Sequence, residues 1–157
     1  MTPAKGVEKY YKWFFDYAEK LYCENEEINI EIRERIEHSL RVVKNIKSIK
    51  QSPGKKNIPG KLKEIAALLH DVGRFLQIRY HDTQNFHASD DHAQLGTELI
   101  KENNVLKGLP KKEKELLLKS IFFHNKKGLH LKSDDVELIE LTEMLRSADK
   151  MDISKRK

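Results

Sequence analysis

The sequence predicts an all-α protein, a single-domain helical bundle of about six helices, on three observations. Apolar residues recur at three- and four-residue spacing along several long segments, no stretch alternates long enough to make a strand, and Pro and Gly collect between the periodic segments. At 157 residues the chain is about one ordinary domain, able to bury one sizeable core. A hydrophobic fraction of 38% beside 35% charged residues suits helices with strongly solvated outer faces.

In order, Tyr10, Trp13, Phe14 and Tyr17 stripe a helix from about Lys5 to Glu24, so residues 1–25 read as an N-terminal packing helix. Asn25 is placed to cap a second helix running to about Lys50, whose arc is Ile32, Ile36, Leu40, Val42, Val43, Ile46 and Ile49. His38 sits at the edge of that arc and points inward. Pro53, Gly54, Pro59 and Gly60 interrupt residues 52–60, a loop between helices and not a domain boundary, since neither flank makes a self-sufficient domain. The third helix starts near Lys61, carries the run Ile65 to Leu69 and ends in His70-Asp71, with Gly73 expected to permit a sharp change of direction. Arg74 to Arg79 add a further turn or two.

Residues 80–90 are polar and hold a second pair, His81-Asp82, expected in a loop near the site entrance. A helix resumes at Asp91, with Leu95, Leu99 and Ile100 on its apolar face, His92 on the buried side and Gly96 leaving room beside it. Pro110 suits the start of the next, where Leu116, Leu117, Leu118, Ile121 and Phe122 lead to His124 before Asn125-Lys126-Lys127-Gly128 ends it. Ser133 is the expected cap of the last helix, with Asp134, Asp135 and Glu137 in its first turn. Its inner face, Leu138, Leu141, Thr142 and Leu145, arrives at Asp149.

The net charge of +5 comes from lysines scattered over expected loops and ends, such as Lys55-Lys56, Lys111-Lys112, Lys126-Lys127 and Lys155-Arg156-Lys157. Without interleaved aromatics or a recognition-helix pattern they read as solvated surface, and a nucleic-acid partner is not expected; steering of a phosphate-bearing substrate is the smaller alternative. No apolar run approaches the roughly 20 residues that span a bilayer, and the N-terminus has no signal-peptide pattern, so a cytoplasmic protein without a membrane partner is expected. Cys23, the single cysteine, cannot form an intrachain disulfide and is expected to be a small helix residue.

The chemistry lies in His70-Asp71. A desolvated carboxylate at the end of a buried helix costs several kcal/mol unless a cation compensates it, and a metal ion compensates most economically. His38, His70, Asp71, His92, His124 and Asp149 are six potential ligands on the inner faces of five helical segments, and a bundle core that gathers imidazoles and carboxylates from facing helices is a known way to hold one or two metal ions. The donors are nitrogen and oxygen with no thiolate, which suits Fe, Mn, Co, Ni or Mg and leaves zinc open.

The order His, His-Asp, His, His, Asp resembles the HD-domain superfamily of metal-dependent phosphohydrolases. The matching pieces are Glu37-His38-Ser39-Leu40, Leu68 to Arg74, Asp91 to Gly96, Phe123-His124-Asn125 and Ala148 to Asp152, within a core of about 30–152. The resemblance implies that His38, His70, Asp71 and Asp149 bind one metal and that His92 and His124 complete a second, bridged by Asp71. It implies hydrolysis by metal-activated water with no side-chain nucleophile. Asp71 and Arg74 are then the catalytic candidates, Arg74 as a phosphate clamp, with Lys150 a second candidate.

The expected activity is therefore hydrolysis of a small phosphate mono- or diester, nucleotide-like in character. Alternatives in other classes are a di-iron oxygenase of the same superfamily and a non-catalytic metal- or nucleotide-binding module. The last is suggested by a chain that stops eight residues after Asp149, where superfamily members commonly continue. The Gly-Tyr-Pro signature of the cyclic-dinucleotide phosphodiesterase branch is absent, which counts against that substrate.

Overall fold

The computed structural model describes residues 6–51, 53–55, 57–80, 91–126 and 135–155, with 153–155 described by backbone alone. These form seven helices and, among the described residues, no strand. They are α1 (Glu8–Lys20), α2 (Glu26–Ser48), α3 (Gly60–Leu69), α4 (Val72–Tyr80), α5 (His92–Glu102), α6 (Lys111–Phe123) and α7 (Val136–Lys155). The bundle is all-α as expected. It has one helix more than about six because the stretch after Asp71 is a helix in its own right.

Local chemistry sets the helix starts. The Asn25 side chain accepts from the backbone N–H groups of Glu27 and Ile28, and Glu26 and Glu27 lie in the first turn, where the helix dipole favours negative charge. Asp91 caps α5 by accepting from the Ala93 N–H, and α6 begins directly after Pro110. At α7 it is Asp135 that accepts from the Leu138 N–H at 3.1 Å, so Asp135 precedes the helix and does not belong to its first turn. Ser133 and the pair His81-Asp82 lie outside the described residues.

α2 packs on α3, α4 and α7, while α4 packs on α5, α5 on α6, and α6 on α3 and α7. Between them lie Ile46, Ile65, Leu68, Leu69, Leu117, Ile121, Leu141 and Leu145, each fully buried and each contributing roughly 1.5–3 kcal/mol by leaving water. α1 lies over α2 and α3 and divides its aromatic stripe. Tyr10 and Phe14 are buried, Phe14 edge-on to Phe75 of α4 at 5.6 Å, whereas Trp13 and Tyr17 stack on each other at the margin of the core. Cys23 is not helical: it lies in the α1–α2 connection, where its backbone is bonded in both directions to the Asn29 side chain. The connection after α2 sends Ile58 into the core, 1% exposed, with its N–H donating to Gln51 Oε1. A carboxylate is buried where α1, α2 and α3 meet. Glu64 of α3 accepts from the Lys47 ammonium at 2.9 Å and from the Tyr11 hydroxyl, joining α1, α2 and α3.

Gly73 has a different task from the one expected of it. It is helical, and no positive φ is needed there. A Cβ at Gly73 would sit 2.0 Å from the His92 carbonyl oxygen and 2.8 Å from the Gly96 nitrogen, so α4 and α5 cross backbone against backbone at the two glycines. Gly96 likewise serves the crossing: its nearest neighbours are Gly73 and Val72.

Candidate metal centre

Four of the six candidate ligands sit where a helix ends. His70 and His124 are the C-cap residues of α3 and α6, Asp71 is the corner between α3 and α4, and His92 is the first residue of α5. His38 comes from the body of α2 and Asp149 from α7. The C-terminal placement has a physical sense, because the last carbonyls of a helix lack partners and carry partial negative charge that favours a nearby cation.

The two C-cap histidines use that end in the same way. His70 Nδ1 lies 2.6 Å from the Ala67 carbonyl and His124 Nδ1 lies 2.6 Å from the Ile121 carbonyl. A carbonyl only accepts, so Nδ1 carries the proton in each ring and Nε2 is turned toward the centre. His38 is oriented by a carboxylate instead, Nδ1 donating to Asp152 Oδ2 at 2.7 Å, and Asp152 is itself held by Arg41. Such partners on the far ring nitrogen are what orient metal-binding histidines.

The four histidines converge on Asp71, which is 3% exposed, and Asp149 joins them through His38 and His70. Asp71 Oδ2 lies 3.2 Å from His38 Nε2 and 3.4 Å from His70 Nε2, and these same nitrogens lie 3.1 and 3.5 Å from Asp149 Oδ1. Asp71 Oδ1 faces the other way, 3.2 Å from His92 Nε2 and 3.5 Å from His124 Nε2, which are 3.3 Å apart. Two donor groups result, His38, His70, Asp71 and Asp149, and Asp71, His92 and His124, with the ligand atoms of each within 4.8 Å of one another. The fit to a metal ion rests on an anomaly. His38 Nε2 and His70 Nε2 are buried and make no hydrogen bond, although carboxylate oxygens stand close by. Two buried ring nitrogens turned toward carboxylates without a bond to either are arranged for a cation.

The electrostatics agree. Burial alone would raise the Asp71 pKa, but the charge on His70 and the nearby rings of His124, His38 and His92 hold it well below the usual carboxylate range. Asp149 is lowered in the same manner by His38 and His70 against its burial. Burial opposes the imidazolium of His38, yet Asp149, Asp71 and Asp152 outweigh it and bring its pKa to about 9. His92, more buried than compensated, is lowered.

Arg74 stands beside this cluster with its Nε buried and unbonded and one long 3.4 Å contact to Gln77; no carboxylate pairs with it among the described residues. Lys150 is exposed and makes no hydrogen bond or ion pair to the cluster among the described residues. Sequence reasoning overlooked Arg35, whose Nη1 lies 3.1 Å from Asp71 Oδ2, and the orienting role of Asp152. Both had a signal available: Arg35 stands three residues before His38 and Asp152 three after Asp149, each one helical turn along the same face. No helix among the described residues is long and apolar enough to cross a membrane.

Comparison with known proteins bears on this geometry. No curated protein and no solved structure shows significant similarity to the chain. Residues 35–154, which contain all six convergent side chains, match the family described as HD domain. The match covers most of the sequence and takes in the pair at the α3–α4 corner, so the chain belongs to the HD domain family.

Proposed function

We propose that this protein is a metal-dependent phosphohydrolase that cleaves a small, nucleotide-like phosphate mono- or diester. The observation that supports it best is the division of the buried Asp71 carboxylate, one oxygen toward His38 and His70 and the other toward His92 and His124, with Arg35 against it. On this reading His38, His70, Asp71 and Asp149 hold one divalent ion and Asp71, His92 and His124 a second, with Fe, Mn, Co, Ni or Mg compatible with the donor set. Bound there, such ions acidify water and neutralise phosphate oxygens.

The chain's own residues do the rest. Arg74 brings a guanidinium with an unbonded Nε to the mouth, and its planar fork matches two phosphate oxygens, which orients phosphorus for in-line attack. Arg35, which approaches Asp71 from α2 and keeps part of its side chain in solvent, supplies a second positive charge toward the same anion. The buried carboxylates and imidazoles keep their orientation through Asp152, Ala67 and Ile121, so no reorganisation is needed at the moment of reaction. Protein loaded with Mn2+ or Co2+ is expected to hydrolyse p-nitrophenyl phosphate or bis(p-nitrophenyl) phosphate, equally well with and without oxygen. Activity should vanish in Asp71→Ala and fall in Arg74→Ala. Inertness with every metal, or turnover that consumes oxygen, overturns the reading.

A further inference from the structure

His92 and His124 present a problem that His38, held in the body of α2, does not. They stand at the first residue of α5 and just past the last of α6, where helices fray and no long element passes through to hold them. Yet their Nε2 atoms are 3.3 Å apart and both face Asp71 Oδ1.

One side chain spans the gap. Asp91, immediately before His92, accepts through Oδ1 from the Ala93 N–H at 3.0 Å and from Asn125 Nδ2 at 2.8 Å, and through Oδ2 from the Lys126 ammonium. Asn125 and Lys126 immediately follow His124. Lys126 is anchored in turn, donating to the Phe122 carbonyl at 3.0 Å and to Asn125 Oδ1 at 2.9 Å and lying 4.1 Å over the Phe122 ring. Neither of the donor groups includes any of these three residues.

We infer that Asp91 is a positioning residue, a latch that joins the start of α5 to the end of α6, sets the spacing of His92 and His124, and so decides whether the second ion is held. The inference rests on the two-ion reading above and deepens it. It makes occupancy of the second position depend on a partly exposed carboxylate outside the centre, while His38 and His70 keep their own supports.

Capping and latching are separable. Asp91→Ser keeps an oxygen for the Ala93 N–H, since serine is among the best N-caps, but it is too short to reach α6. Equilibrium dialysis against Mn2+ should show two equivalents in the parent. In Asp91→Ser the first should bind unchanged and the second about 10–100-fold more weakly, the usual effect of removing a partner behind a ligand. The spin-coupled Mn pair signal should be lost at concentrations where the parent shows it, and the metal-free melting temperature should stay put. Asp91→Asn, which retains the cap and the Asn125 contact but not the charge toward Lys126, should fall between. Two full-strength ions in Asp91→Ser overturn the latch and leave the two-ion reading standing. Equal weakening of both ions also overturns it, because Asp91 would then act on the whole fold. One ion or none in the parent removes the second position, and both ideas fall together.

Discussion

The two sides of Asp71 are built differently. On one side His38, His70 and Asp149 come from α2, the end of α3 and α7, three mutually packed helices, and two carboxylates, Asp71 and Asp149, face the two rings. On the other side His92 and His124 hang from two helix ends, share only Asp71 Oδ1, and owe their approach to the glycine crossing of α4 and α5 and the Asp91 contacts. The first side is part of the core. The second is attached to the core along its edges, which predicts a tight ion and a more readily lost one.

The comparison breaks most completely at the shared residue. Asp71→Ala should lose both ions and with them all metal-dependent stabilisation, which for a ligand at 100 times its Kd amounts to about 2.7 kcal/mol. Thermal melts with and without Mn2+ check this, and a retained metal-dependent shift would show that Asp71 is not the common ligand. Gly73→Ala comes next. Its methyl group would collide with the backbone of α5, costing roughly 1–3 kcal/mol as overpacking does and removing the second ion through displacement of His92. A variant that melts like the parent and binds two ions would mean that the crossing does not set the spacing.

Smaller changes sharpen the contrast. His92→Ala should reduce stoichiometry from two to one by elemental analysis, and one equivalent in both proteins would leave only the four-ligand side. Asp152→Asn should weaken the ion on the His38 side about 10–100-fold and leave the other alone, the mirror of the Asp91 experiment. Tyr11→Phe should not affect the centre at all. It takes one bond from buried Glu64 and should cost about 1–3 kcal/mol in chemical denaturation with metal stoichiometry intact.

Much of this was legible in the chain. Helical periodicity marked the helices, and the apolar faces beneath His38, His92 and His124 indicated that these side chains turn inward, as they do. What escaped was pairing over distance. His38 and Asp152 are 114 residues apart, and Asp91 and Lys126 are 35 apart, so nothing local couples them. Arg35 drew no reading from the sequence because only the folded chain places Asp71 beside it. A glycine after a helix usually means a turn, whereas the reason for Gly73 lies in another helix. Cys23 reads as part of α1 from the sequence because the aromatic stripe carries no stop signal before Asn25.

The meeting of Gly73 and Gly96 has a further bearing, on how this fold can change. Contacts between side chains can be retuned by substitution, a methylene at a time, but a contact between two backbones has no such adjustment. The span from Asp71 to His92 is therefore a fixed gauge. Exchange of the side chains around the centre leaves that one length untouched, because two backbones set it.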